Sequence, residues 1–246
     1  MVNRYIDSVG GISPLRLLAR RLFPGQCILC YSASQLTLDM CKSCELSLPI
    51  LGACCESCAL PISDISARYC GGCLQSPPPY SRTEACWVYD VPVAQLIAAY
   101  KYRHKLSYGH TLSIIAARKF ASTYEQIAKP TLIAAVPLHW YRHLRRGFNQ
   151  SDLLAKYFSK YFQIPLFTNI KRVKATETQL SLSAKERQTN LKNAFLISRP
   201  EYVTGQVVAV IDDVMTTGAT ARAVSETFLK AGAREVHIWV LARTPR

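Results

Sequence analysis

The residues best suited by type and spacing to do chemistry lie between Val207 and Thr220: an apolar run, two adjacent acids at Asp212 and Asp213, then Thr216, Thr217, Gly218 and Thr220. Val207 to Ile211 is continuous enough in apolar character to be a strand buried on both faces. Ala223, Val224, Phe228 and Ala231 recur at helical spacing, which predicts a helix from Ala221 to Ala231. The loop between them sits at the carboxyl end of a parallel strand. There the unpaired N–H groups of the first helical turn, the helix dipole and the threonine hydroxyls converge on a phosphate. Two carboxylates in front of a phosphate cup are consistent with a ligand that also carries sugar hydroxyls and a hydrated Mg²⁺ ion, since carboxylates accept hydrogen bonds from both. The loop is neither a Walker sequence nor a dinucleotide fingerprint, for the chain contains no Gly-Lys-Ser/Thr and no Gly-x-Gly-x-x-Gly.

A second set of reactive residues is concentrated near the amino terminus. Eight of the ten cysteines form four Cys-x-x-Cys pairs: Cys27/Cys30, Cys41/Cys44, Cys55/Cys58 and Cys70/Cys73. Each pair offers two thiolates to one tetrahedral ion, so four pairs predict two structural zinc sites that hold together a segment too small for its own core. Chain order assigns Cys27, Cys30, Cys41 and Cys44 to one zinc and Cys55, Cys58, Cys70 and Cys73 to the other; a cross-braced pairing fits the spacing equally. A disulfide framework disagrees with the lack of a visible secretory signal and with phosphate chemistry, which points to a reducing cytoplasm. Removal of zinc is expected to unfold the first 75 residues without melting the rest.

Charge locates the acidic partner. Residues 1–80 hold six Lys/Arg against five Asp/Glu, so residues 81–246 carry +13 of the net +14. A field of that sign attracts nucleic acid, nucleotides or anionic lipid. Two clusters stand out. Lys101-Tyr-Arg103-His-Lys105 joins two predicted helices, and Pro137 to Gln150 contains Arg142, Arg145 and Arg146 among two histidines and three aromatics. Arginine forks suit a diphosphate; arginine and lysine interleaved with aromatics suit single-stranded nucleic acid, held by charge and base stacking.

The elements that must position these groups alternate. Glu84 to Tyr89, Thr131 to Val136, Val207 onward and Glu235 to Leu241 read as strands. Pro92 to Tyr102, Tyr108 to Tyr124 and Gln150 to Phe162 read as helices. Such alternation implies an α/β fold with a parallel sheet and ligands at the strands' carboxyl ends. Ser76-Pro-Pro-Pro-Tyr80 reads as an extended connection between residues 1–75 and 81–246. Ser13 to Pro24 reads as a basic amphipathic helix that packs on the cysteine module or, alternatively, touches a membrane surface, and His237 as a packed residue of the last strand. No apolar stretch reaches the ~20 residues of a membrane span.

The phosphate loop resembles the phosphoribosyl-diphosphate (PRPP) motif of type I phosphoribosyltransferases. Together with Pro137-Leu-His139, Arg146-Gly-Phe-Asn149-Gln150, Arg172, Thr176, Gln179, Arg187 and Asn190, it resembles in that order the ComF family of competence proteins, similar also to the GntX group. The resemblance implies an α/β domain with a type I phosphoribosyltransferase-like parallel sheet flanked by helices, preceded by a small double zinc ribbon. It also implies association with natural transformation, where incoming single-stranded DNA is handled at the cytoplasmic side of the uptake machinery, near the inner face of the membrane, beside helicase or recombination proteins. On this basis Asp212 and Asp213 are expected to meet ribose hydroxyls directly or through Mg²⁺. Thr216, Thr217, Gly218 and Thr220 cradle the 5′-phosphate, Arg146 and Arg142 face the diphosphate, and residues 171–187, with Arg172 and Arg187, form a lid over PRPP. Lys101, Arg103, Lys105, Arg142, Arg145 and Arg146 are expected along a DNA track. Two functions fit: a DNA-handling protein that retains a PRPP-type pocket, or an active Mg²⁺-dependent phosphoribosyltransferase with an unidentified acceptor.

Overall fold

The computed structural model describes residues 25–138, 141, 144, 146–173 and 193–245. Its centre is a five-stranded sheet in the order β1-β7-β6-β2-β3, built from Arg82–Val88 (β1), Leu132–Ala135 (β2), Leu166–Phe167 (β3), Val207–Met215 (β6) and Glu235–Arg243 (β7). Every neighbouring pair in it is parallel. Ile170–Arg172 (β4) and Phe195–Ile197 (β5) form a separate antiparallel pair. Two short helices, Lys42–Leu46 (α1) and Gly71–Gln75 (α2), belong to the cysteine module; Val93–Tyr102 (α3), Leu106–Thr123 (α4), Gln150–Phe162 (α5) and Ala219–Lys230 (α6) flank the sheet.

Alternation along the central strands builds two cores. Ala209 and Ile211 of β6 with Trp239 and Leu241 of β7 face Leu112 and Phe120 of α4 and Phe158 of α5. Val208 and Val210 with Ile238 and Val240 face Val224 and Phe228 of α6. Phe120, Phe158 and Trp239 are each about 1% exposed or less, and full burial of side chains of this kind contributes about 1.5–3 kcal/mol apiece. The chain leaves β2 into α5 on one face and β6 into α6 on the other. The strand order therefore reverses between β2 and β6, where a cleft opens at the carboxyl ends.

The helices expected from Pro92, Tyr108, Gln150 and Ala221 and the four principal strands are present with small shifts. The α5 helix has the expected limits, because Asn149 caps it by accepting from the Ser151 N–H at 3.1 Å and Gln163 ends it in a left-handed conformation. β6 and β7 run further than the apolar pattern suggests, to Met215 and Arg243, since they continue to pair with each other at Val214↔Ala242 and Met215↔Arg243. The acids consequently lie within β6 rather than after it. β3, β4 and β5 are two or three residues long, too short to show a period. The segment Ser13 to Pro24 and residues 174–192 lie outside the described residues.

The cysteine module is built against the sheet. Leu38, Met40 and Leu48 enter the α4/α5 core, while Leu51 and Ala59 enter the α6 core. The module thus straddles β1, an outer strand of the sheet. Between the two halves, Leu51 N–H donates to Cys86 O at 3.0 Å and Val88 N–H donates to Pro49 O at 2.9 Å, covering that strand's open edge. Lys119 of α4 reinforces the seam by donating to the carbonyls of Leu51, Ala85 and Cys86 at 3.1–3.2 Å.

Candidate functional site

Each half of the cysteine module repeats one design. The first pair of each half sits on a tight turn closed by a backbone bond, Tyr31 N–H to Cys27 O at 3.0 Å and Ala59 N–H to Cys55 O at 2.8 Å, with the residue after the second cysteine at positive φ. The second pair opens a short helix, with Cys41 and Cys70 as the capping residues of α1 and α2. This brings Cys27, Cys30, Cys41 and Cys44 together, and likewise Cys55, Cys58, Cys70 and Cys73, with all sulfurs of a cluster within 4.8 Å of one another. The pairing is therefore the one chain order suggests. The Cys30–Cys41 and Cys58–Cys70 sulfur separations are both 3.7 Å, and a tetrahedral site with Zn–S bonds of about 2.3 Å requires about 3.8 Å. The donors fit two structural zinc ions. Hydrogen bonds from Ser32 hold Cys30 down to about 6, whereas contact with Cys41 pushes Cys44 up to about 12. Full ionisation of the four thiols thus needs the cation.

At the cleft between β2 and β6, Gly218 starts α6 with φ +79, and Arg222 N–H donates to its carbonyl at 2.9 Å. A Cβ there would stand 2.9 Å from Met215 Cε and 3.1 Å from the Tyr80 hydroxyl; the φ of +79 favours glycine, and the close approach of both side chains adds to it. Asp212, Thr216, Thr217, Gly218 and Thr220 line one hollow at this end of the sheet, with Val136 of the neighbouring strand. Thr216 and Thr217 are exposed, Gly218 is buried and Thr220 half-buried. All five residues expected at a sugar phosphate other than Asp213 thus border one space.

The two acids have distinct surroundings. Asp213 is 4% exposed; it receives Lys101 Nζ at 2.8 Å on one oxygen and Gln150 Nε2 at 2.9 Å on the other. Asp212 accepts from Ser151 Oγ at 3.0 Å and from the Asp213 N–H at 2.9 Å. Burial, followed by the charge of Asp213, pushes the Asp212 carboxyl up to about 7, against the opposing pull of Lys101. Burial lowers the Lys101 ammonium, but Asp213 and Asp212 outweigh it and the net direction is upward. With Asp213 engaged at both oxygens, Asp212 is the acid that borders the hollow and could meet a ribose hydroxyl or a hydrated Mg²⁺.

These partners are placed by close packing. Gly109 of α4 lets Tyr100 of α3 lie against it; a Cβ would fall 2.4–2.7 Å from the ring. Tyr100 then donates to Gln150 O at 3.0 Å, which fixes the first turn of α5 and its grip on Asp213. Gln150, Ser151 and the pairing of Lys101 were not read as site features from sequence. The signal was present, however, in polar side chains filling the buried first turn of a helix after a central strand.

The expected DNA-track residues divide. Lys101 turns inward to Asp213 with 16% of its side chain exposed, whereas Arg103 and Lys105 are exposed. Arg146 stacks over the Tyr102 ring at 4.7 Å and donates to its hydroxyl at 3.1 Å. Phe148 packs between Tyr100 and His104, and Tyr102 and Tyr141 are more than 60% exposed. Arg172 lies in β4 with its guanidinium 5.6 Å from the Phe195 ring, at the base of the segment expected to act as a lid. Arg142, Arg145 and Arg187 lie outside the described residues. His237 is buried: burial lowers its pKa, and it is bonded to Tyr124 and Glu235 at 2.9 Å each.

A parallel sheet with a hydroxyl-rich loop at its strand reversal, next to two four-cysteine clusters, defines a phosphoribosyltransferase-like domain carrying a double zinc ribbon. The family model described as a phosphoribosyl transferase domain matches residues 99–246, and that of the double zinc ribbon domain matches residues 18–74. The chain belongs to the ComF family of competence proteins. It is 36% identical over 230 residues to Competence protein F of Haemophilus influenzae, covering 90% of this chain and 98% of that protein. It is also 36% identical over 229 residues to DNA utilization protein YhgH of Escherichia coli, with the same coverage, and 27% identical over 210 residues to Competence protein ComFC of Bacillus subtilis, covering 77% and 84%. Among the described residues no helix is long and apolar enough to cross a membrane.

Proposed function

We propose that this protein handles incoming single-stranded DNA in the cytoplasm during uptake for natural transformation, and that its phosphate loop is a pocket for PRPP or a related phosphorylated sugar. The observation that carries the reading is the junction at the end of α3. Lys101 pairs with Asp213 of the phosphate site, while its neighbour Tyr102 carries the stacked Arg146. A strand whose bases stack on Tyr102 and whose phosphates meet Arg146, Arg103 and Lys105 would pass the mouth of the phosphate loop. Arg142 and Arg145 would extend that path, and the relatives named for competence and DNA utilization support the same role. Mg²⁺ would arrive with the diphosphate and be met by Asp212; Arg146, Arg172 and Arg187 would neutralise the diphosphate.

The engagement of Asp213 by Lys101 and Gln150 favours binding over turnover, because only one of the two acids is left to meet the sugar. A hollow of about 260 Å³ bordered by Pro137, Leu138, Asn149, Asp152, Lys156 and Thr168 favours the second reading, a Mg²⁺-dependent phosphoribosyltransferase, since it offers an acceptor a place beside β2. Calorimetric titration of PRPP combined with a diphosphate-release assay separates the two. PRPP binding without release in the presence of bases, amines or DNA ends supports the pocket. Acceptor-dependent release that vanishes in Asp212→Asn, the acid that borders the hollow, establishes the transferase.

A further inference from the structure

The second cysteine cluster and the phosphate loop meet at one buried side chain. Arg243, at the end of β7, is 1% exposed. Its Nε donates to the carbonyl of the zinc-cluster residue Cys58 at 2.8 Å, and its Nη1 donates to the carbonyls of Met215 at 3.0 Å, Thr216, and Thr244 at 2.7 Å. Met215 is the last residue of β6 and Thr216 the first of the phosphate loop.

In a trans peptide the C=O and N–H point in opposite directions. Drawing the carbonyls of Met215 and Thr216 inward onto one guanidinium therefore turns the N–H groups of Thr216 and Thr217 away from it. Those groups belong to the residues that border the hollow. Such oriented backbone donors are what an anion site requires. One nitrogen, Nη1, faces both carbonyls, and the plane of the guanidinium is fixed from its Nε side by Cys58. A second contact runs the same way. Tyr80, seven residues beyond the cluster ligand Cys73, is buried beneath the loop with its hydroxyl against Gly218. The first cluster has neither contact; it packs on the opposite, α4/α5 face of the sheet.

We propose that Arg243 is a positioning residue that ties the phosphate loop to the second four-cysteine cluster, so that zinc bound by Cys55, Cys58, Cys70 and Cys73 sets the loop's affinity for a phosphorylated sugar. This rests on reading the loop as a phosphate site. Loss of that zinc frees the turn carrying the Cys58 carbonyl, the guanidinium loses one of its anchors, and the carbonyls it holds are free to rotate. Among the described residues no comparable route leads from the first cluster.

The test uses the full-length zinc-loaded protein and two readouts, calorimetric titration with PRPP and hydrogen exchange of the peptide spanning Met215 to Gly218. Cys73→Ser, which removes a ligand of the second zinc but leaves Cys58 in place, is expected to weaken PRPP binding about tenfold, the scale of one charge-assisted hydrogen bond, and to speed loop exchange. Cys44→Ser in the first cluster is expected to produce a clearly smaller change in both. Arg243→Lys keeps the charge without the fork and should reproduce the effect of Cys73→Ser, and the two together should do little more than either alone. Should Arg243→Lys fail to fold, selective loss of the second zinc from Cys73→Ser, measured by metal content, still decides the matter. Equal effects from both clusters, or strictly additive effects of Cys73→Ser and Arg243→Lys, would overturn the coupling. If the unaltered protein binds no PRPP, the phosphate reading fails, and unchanged loop exchange in Cys73→Ser would separately sink the tie to the zinc site.

Discussion

Lys101→Met tests the engagement of the acid pair. Lys101 and Asp213 form a 2.8 Å ion pair whose side chains are 16% and 6% exposed, and Asp212 is the adjacent residue. Methionine preserves most of the aliphatic stem and removes the charge, leaving Asp213 with Gln150 as its neutral partner beside a second carboxylate. Breaking a buried pair from one side costs about 3–5 kcal/mol because the remaining charge is uncompensated. The residual exposure and the Gln150 bond place the expected loss at the lower end, about 3 kcal/mol, equivalent to a fall of roughly 6–12 °C in melting temperature for a domain of this size. The loss should be larger at pH 8 than at pH 5.5, since acid lets Asp212, raised to about 7, take up a proton and relieve the charge beside Asp213. Adding Asp213→Asn should recover most of it, whereas Arg103→Ala and Lys105→Ala at exposed positions should shift stability by no more than about 0.5 kcal/mol. Thermal melts of the four variants and the parent protein, with zinc content matched, measure this. A Lys101→Met protein as stable as the parent, or no rescue by Asp213→Asn, would refute the argument that this pair is buried and mutually dependent.

Asp212→Asn should raise stability at neutral pH. The carboxyl raised to about 7 by burial and Asp213 binds its proton more tightly folded than unfolded, so wild-type stability declines as pH rises from about 4 toward 7. The gap between variant and wild type should close toward pH 4; a gap independent of pH would count against this. For His237 the sign is opposite: burial lowers its pKa, so the unfolded chain takes up the proton first and stability drops as pH falls below about 6.5. His237→Gln should lack that increment in pH-dependent melts. Zinc removal by chelator should lower the melting transition of the whole chain rather than spare residues 81–245. Leu38, Met40, Leu48 and Leu51 are each 4% exposed or less within shared cores, and each contributes about 1.5–3 kcal/mol when buried. An unchanged transition for the sheet domain would contradict the shared packing.

That last expectation departs from the one drawn from sequence, and the reason is physical. The cysteine spacing showed a metal-held module, and the triple proline at 77–79 looked like a spacer. Nothing local in Leu38, Met40 or Leu51 says that their partner surface lies on the far side of that spacer. The central strands and α5 were legible because a continuous apolar run, a 3.6-residue period and an asparagine cap are local signals. The turn from β6 into α6 was legible because glycine, threonine and acid types stand in a fixed order. The partners of the acids were not. Lys101 sits among Arg103 and Lys105 in a basic stretch, yet it pairs with Asp213, an acid distant in sequence, while its neighbours face solvent. Arg243 was similarly hidden, as one arginine near the end of an apolar strand whose acceptors are carbonyls distant in sequence.

The central claim, that a strand of DNA passes the mouth of the phosphate loop, is tested most directly by fluorescence anisotropy of a labelled single-stranded oligonucleotide, titrated at several salt concentrations with and without PRPP and Mg²⁺. The account predicts salt-sensitive binding that PRPP reduces. Tyr102→Ala should weaken binding by about 1–3 kcal/mol through lost base stacking, and Arg146→Ala should lower the slope of log affinity against log salt by about one phosphate contact. Absence of binding at low salt, or binding unaffected by PRPP, Tyr102→Ala and Arg146→Ala alike, would contradict it.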